Sequence, residues 1–147
     1  MNLSNHDMKS NIRYAQVLHG HLGPFLVIGV RLGILAKQKL NLNSDEMSNL
    51  QVTAELPLLT PFSCILDGLQ ITTQCTLGNQ KLRFKNSQGE IKIHFNHLNS
   101  PKEVSIHVNR RIAEELQHRL SQGASKEELA KEIISMPEDT LFALKQG

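Results

Sequence analysis

Apolar positions change their period several times along this chain, and each change marks an element. Met8, Ile12, Ala15 and then Val17 or Leu18 recur at helical spacing and predict a first helix. From Pro24 to Ala36 the chain is apolar except for Arg31, which predicts a buried helix. Proline suits its first position because the amide hydrogen it lacks would be unpaired there. Gly29 and Gly33, four apart, open a groove on this helix for another backbone. Each costs roughly 1 kcal/mol of helix stability relative to alanine, so close packing is the expected compensation, against a second chain or within this one. After a polar, turn-like stretch from Asn41 to Asn49, Val52, Ala54, Leu56 and Leu58 alternate with Gln51, Thr53 and Glu55, as in a strand with one buried face. Pro57 implies that this strand ends early or lies at an edge.

Thr60-Pro61 predicts a helix to about Thr72, with threonine capping the free amides. Leu82 and Phe84 alternate with Lys81, Arg83 and Lys85, and Ile91, Ile93 and Phe95 with Lys92, His94 and Asn96; Ser87-Gln88-Gly89 between them predicts a hairpin. Val104, Ile106 and Val108 form either one more strand or the lead-in to a helix marked by Ile112, Leu116 and Leu120. Ser125-Lys126-Glu127-Glu128 has the form of a capping box and opens a helix with Leu129 and Ile133 inward, stopped by Pro137. The predicted class is α+β, a single domain with an antiparallel sheet or hairpin packed by several helices.

A length of 147 residues suits one domain with a real core. The formal charge of +2 comes from interleaved acids and bases, which argues against a nucleic-acid partner. The apolar run is too short to span a bilayer, and the polar stretch Met1 to Tyr14 has no signal-peptide core, so a cytoplasmic protein without a membrane partner is expected. Cys64 and Cys75 are then expected to be thiols rather than a bridge.

Candidate chemistry begins at His19-Gly20-His21-Leu22-Gly23-Pro24, immediately ahead of the buried helix. Outside a helix, residues two apart can turn toward one point, and paired neutral imidazoles are common ligands for zinc, nickel or iron. The other reading is a polar loop of hydrogen-bonded histidines. In the Pro61 helix Cys64 falls in the first turn, where the helix dipole favours thiolate, and Asp67 and Gln70 follow on the same side. Two histidines and one thiolate would leave a coordination position open for a small-molecule ligand. Equally, Cys64 can be a small core hydrophobe. Cys75, before the Gly78-Asn79 turn, is either a thiol facing the site or a packed core residue. His94 and His97 are expected to be solvated, on opposite faces of a strand, while His6, His107 and His118 have no spaced partners. Lys81, Arg83, Lys85 and Lys92 form a basic strand face.

The blocks His19–Pro24, Ile28–Gly33, Cys64–Gln70 and Thr73–Asn79, in this order and spacing, resemble the FmdE family, named for its association with formylmethanofuran dehydrogenase, over about Ala15 to Asn79. Met136–Phe142 is similar to the segment that closes that domain. The resemblance implies an α+β domain, usually a homodimer, whose histidines and cysteines form a metal-binding active site. His19, His21 and Cys64 take its ligand positions, and Asp67, Gln70, Cys75 and Thr76 its other polar positions. Gly23 stands where the family usually has a cysteine, and no cysteine follows Cys75, so the zinc ribbon of some members is not expected. The expected organisation is the core domain alone over 1–147, with a motif core at about 15–98 and a helical part at about 108–147.

Two functions follow. One is a metal-dependent enzyme acting on a small molecule, with a divalent ion (zinc first, nickel or iron next) on His19, His21 and Cys64, and with Asp67 and Cys75 as catalytic candidates. The other is a metal-binding accessory or interaction subunit of a larger molybdenum or tungsten redox enzyme.

Overall fold

The computed structural model describes residues 5–145, with side chains from Asp7 onward; His6 thus falls outside the described side chains. Helix α1 (Asn5–His19) leads through the histidine loop into α2 (Pro24–Leu40). Strand β1 (Leu50–Leu56) and a 3-10 turn (Phe62–Cys64) precede α3 (Ile65–Thr73), which is followed by β2 (Leu82–Asn86), β3 (Lys92–His97) and β4 (Glu103–Val108). The chain continues through α4 (Arg110–Ser121), α5 (Lys126–Ser135), α6 (Glu138–Leu141) and β5 (Phe142–Lys145). This is an α+β fold around one sheet of order β2-β1-β3-β4-β5. Among the described residues no helix is long and apolar enough to cross a membrane.

The sheet is mixed rather than antiparallel. β1 pairs with β2 in parallel and with β3 antiparallel, so the predicted hairpin between β2 and β3 is not formed: β1 lies between them, with Ala54 opposite Phe84 on one side and Ile93 on the other. Alternation and a turn between two strands do not show whether a third strand inserts between them. Pro57 ends β1, as one reading of it requires, but β1 is not an edge strand. Val104, Ile106 and Val108 form a strand, and β5, pairing with β4, is marked by no periodic run in the sequence.

Inward side chains of the sheet, among them Val52, Ile93, Phe95 and Ile106, are fully buried with Ile28 and Leu32 of α2. Each such side chain stabilises the fold by about 1.5–3 kcal/mol. The charged interruption Arg31 is half-buried, and its Nη1 donates to the carbonyls of Ile133 and Met136 at 2.7 and 2.6 Å, capping the end of α5. Ile12 and Ala15 of α1 pack inward, whereas Val17 and Leu18 both face solvent at 80% and 53% exposure, against the expectation that one of them would be buried.

Gly29 and Gly33 are used inside the chain. A Cβ at Gly29 would overlap the Ile65 carbonyl oxygen, one at Gly33 would overlap the Thr72 hydroxyl, and one at Gly68 would overlap the Leu26 carbonyl oxygen. α2 and α3 therefore cross backbone on backbone. The glycine face is unavailable to a second chain, which corrects the surface expected for a dimer. The same crossing sets the start of α3, with Cys64 and Asp67, beside the start of α2 and the histidine loop.

Candidate metal and ligand site

The loop between α1 and α2 is tightly formed. Gly20 has φ +100°, a left-handed conformation that favours glycine, and its amide donates to the Gln16 carbonyl at 2.8 Å. Gly23 is extended and caps α2 ahead of Pro24. This turn brings the two imidazoles together, with ring centroids 4.5 Å apart and planes 48° from one another.

His19 is held from behind. Its Nδ1 lies 2.6 Å from Asp67 Oδ2, with the imidazole 13% exposed. A carboxylate only accepts, so Nδ1 carries the proton in the neutral ring and Nε2 keeps its lone pair. Gln70 Nε2 donates to the other Asp67 oxygen at 3.4 Å, while Gln70 Oε1 accepts from the Leu77 amide. His21 is held below the ordinary histidine range, first by burial and then by His19 and Lys126, which keeps it neutral at neutral pH.

Cys64 differs from the expectation in two respects. It ends the 3-10 turn and caps α3 rather than lying within an α-helical first turn, and Thr60 provides no side-chain cap. Its half-buried thiol is pushed up, by burial first and by Asp67 second, so desolvation outweighs the helix dipole and the free protein holds a thiol, not a thiolate.

His19, His21 and Cys64 line one cavity of about 510 Å³. Pro24, Phe25 and Leu26 of α2 form an apolar wall; Gln117, Leu120 and Ser121 of α4 and Ala124 and Lys126 at the start of α5 close the other side. Among the described residues, no group of three or more His, Cys, Asp or Glu side chains converges closely enough to hold an ion. The donor types suit a borderline transition metal; the three side chains share a cavity without meeting at a point.

Cys75 lies outside that cavity. It is 1% exposed, its Sγ donates to the Leu50 carbonyl at 3.2 Å, and burial pushes its thiol up: it is a packed core cysteine, not a group facing the site. Thr76 exchanges hydrogen bonds with Asn79 at 3.0 and 3.1 Å and so builds the turn after α3. His97 is buried, with Nδ1 accepting from the Asn99 amide, contrary to the expectation of a solvated residue; His94, on the opposite face, is bound by Ser105 and Glu103 at 2.7 and 3.2 Å. Lys85 and Lys92 both pair with Glu55, which β1 brings between them, so the basic face is partly neutralised.

Local sequence patterns give no indication of the α4–α5 wall of the cavity. Lys126 is visible there only as part of a capping box, and Ser125 does accept from the Glu128 amide as that motif requires. No local signal links it to histidines more than a hundred residues earlier.

One similar protein is a probable S-adenosyl-L-methionine-binding protein of Archaeoglobus fulgidus, 38% identical over 68 residues that make up 46% of this chain and 18% of that protein. The chain thus spans less than a fifth of that relative's length. Residues 18–143 match the family described as FmdE, molybdenum formylmethanofuran dehydrogenase operon. That stretch contains the histidine loop, Cys64, Asp67 and the closing segment Met136–Phe142, and the chain therefore belongs to the FmdE family.

Proposed function

We propose that the chain binds one divalent transition ion, zinc first with nickel or iron next, through His19 Nε2, His21 and Cys64, and presents an open coordination position to a small molecule in the cavity. The observation that supports this most is the 2.6 Å contact of Asp67 with His19 Nδ1, since a carboxylate behind an imidazole selects the tautomer and orients the nitrogen that binds a metal. Cys64 and His21 need to shift toward His19 to complete the set. When bound, such an ion supplies Lewis acidity toward a ligand oxygen. The chain's own residues orient the imidazoles, line the cavity with Pro24, Phe25 and Leu26, and keep Asp67 as the acceptor for the His19 Nδ1 proton.

Elemental analysis of purified protein tests the reading. About one equivalent of metal per chain is expected, falling strongly in His21→Ala and in Cys64→Ala; full retention of metal in both variants would overturn the assignment.

A second reading is favoured by the family's description, which names a dehydrogenase operon. In it the metal-loaded chain serves a larger molybdenum or tungsten enzyme as an accessory subunit, without turnover of its own. Copurification with that enzyme, and no exchange of the cavity ligand, would favour this reading over the first. The homodimer implied by the family resemblance belongs to both readings, and we assign it to the exposed face of α1, where Tyr14, Val17 and Leu18 lie at helical spacing.

A further inference from the structure

The wall of the cavity has a charge pattern that the metal reading does not use. Of its lining side chains, Lys126 is the charged one; none is a carboxylate, and Asp67 stands behind His19 rather than in the wall. Among the described residues Lys126 has no carboxylate within salt-bridge distance, although Glu127 and Glu128 follow it in sequence and Glu128 pairs with Lys131. Lys126 is exposed at the rim of the cavity, and a cation beside apolar walls attracts an anion more strongly than one on an open surface. The first turn of the ten-residue helix α5, which starts at Lys126, adds the positive end of its dipole at the same place. Pro24, Phe25 and Leu26 on the α2 wall, with Leu120 on the α4 side, offer apolar surface.

We propose that the cavity takes a small molecule with an anionic head and an apolar body, and that Lys126 sets this specificity by binding the head. The proposal rests on the reading of the cavity as a ligand site given above, but it concerns a residue outside the metal-ligand set. The apolar body lies along Pro24, Phe25 and Leu26, which leaves the histidine side free for the part of the ligand that reacts or coordinates. The ligand is thus oriented from both ends.

Three probes with one body and different heads provide the test: 4-phenylbutyrate, 4-phenylbutanol and 4-phenylbutylamine, titrated into metal-free and zinc-loaded full-length chain and followed by amide chemical shifts. The acid is expected to bind at least about tenfold more tightly than the alcohol, and the alcohol more tightly than the amine, with shifts at residues 24–26 and 120–126. Lys126→Met, which keeps most of the apolar stem, should lose about tenfold for the acid and leave the alcohol unchanged, while Lys126→Arg should restore the acid. Equal affinity of acid and amine, or an unchanged acid affinity in Lys126→Met, overturns the proposal. Failure of the metal reading is seen separately: a chain that takes up no zinc but still shows the Lys126-dependent preference retains this inference and loses the ion. Acid binding that requires zinc and is indifferent to Lys126 does the reverse.

Discussion

At the scale of single residues, the pair His19 and Asp67 carries the strongest expectation. Their 2.6 Å contact fixes the imidazole from the side away from the cavity, and removing the carboxylate charge should lower metal affinity by about 10- to 100-fold. Asp67→Asn preserves size, so chelator competition against zinc isolates the charge; wild-type affinity in this variant would reduce Asp67 to a helix N-terminal acid worth about 0.3–1 kcal/mol. Cys64 yields a second expectation. Burial and Asp67 hold its proton on above the ordinary thiol range, whereas coordination needs the thiolate, so metal uptake releases that proton. Affinity should therefore rise with pH, by about tenfold per unit between pH 7 and 8, because His21 is already neutral there. The slope should flatten in Cys64→Ala, and a pH-independent wild-type affinity would remove the thiol from the ligand set.

At the scale of elements, the α2–α3 crossing determines whether the site exists. Exchange of a mid-helix glycine for alanine ordinarily adds about 0.5–1 kcal/mol of stability. Here the sign reverses, because the new methyl at Gly29 or Gly68 meets a backbone carbonyl that cannot rotate away. Gly29→Ala is expected to cost about 1–3 kcal/mol, as overpacking does, read as a lower urea midpoint at unchanged slope. Gly89→Ala is the control, since nothing lies within 4 Å of the added atom. A stabilised Gly29→Ala would mean that the two helices separate easily. The crossing would then not be what keeps Cys64 near the histidine loop.

At the scale of the whole molecule, the question is which surface a second copy would use. The glycine groove that suggested one is filled by α3, while Tyr14, Val17 and Leu18 remain 64%, 80% and 53% exposed along one side of α1. An apolar row along one helix face is a surface that a second copy can cover. Light scattering at micromolar concentration should report a dimer for the wild type and a monomer for Val17→Lys combined with Leu18→Glu, both with unchanged circular dichroism. A wild-type monomer would contradict the dimer itself; a dimeric double variant would contradict only the surface.

Local patterns were sufficient wherever the physics was local. Period and capping residues identified α1, α2, α5 and β1, because burial of one face leaves its repeat in the sequence, and proline and serine act on the amides next to them. The histidine loop was legible for the same reason: glycines and Pro24 set its turn within six residues, and with it the approach of the two rings. Pairing was not legible. Whether β2 joins β3 or β1 depends on a strand contributed from thirty residues earlier, and two half-buried strands alternate alike in either case. Nor did spacing distinguish Cys64 from Cys75, both at the ends of α3, since one lines the cavity and the other enters the core only through the way α3 lies on α2. Lys126 reaches the cavity through the packing of α5 on α2, so its contribution became visible only when the chain had folded.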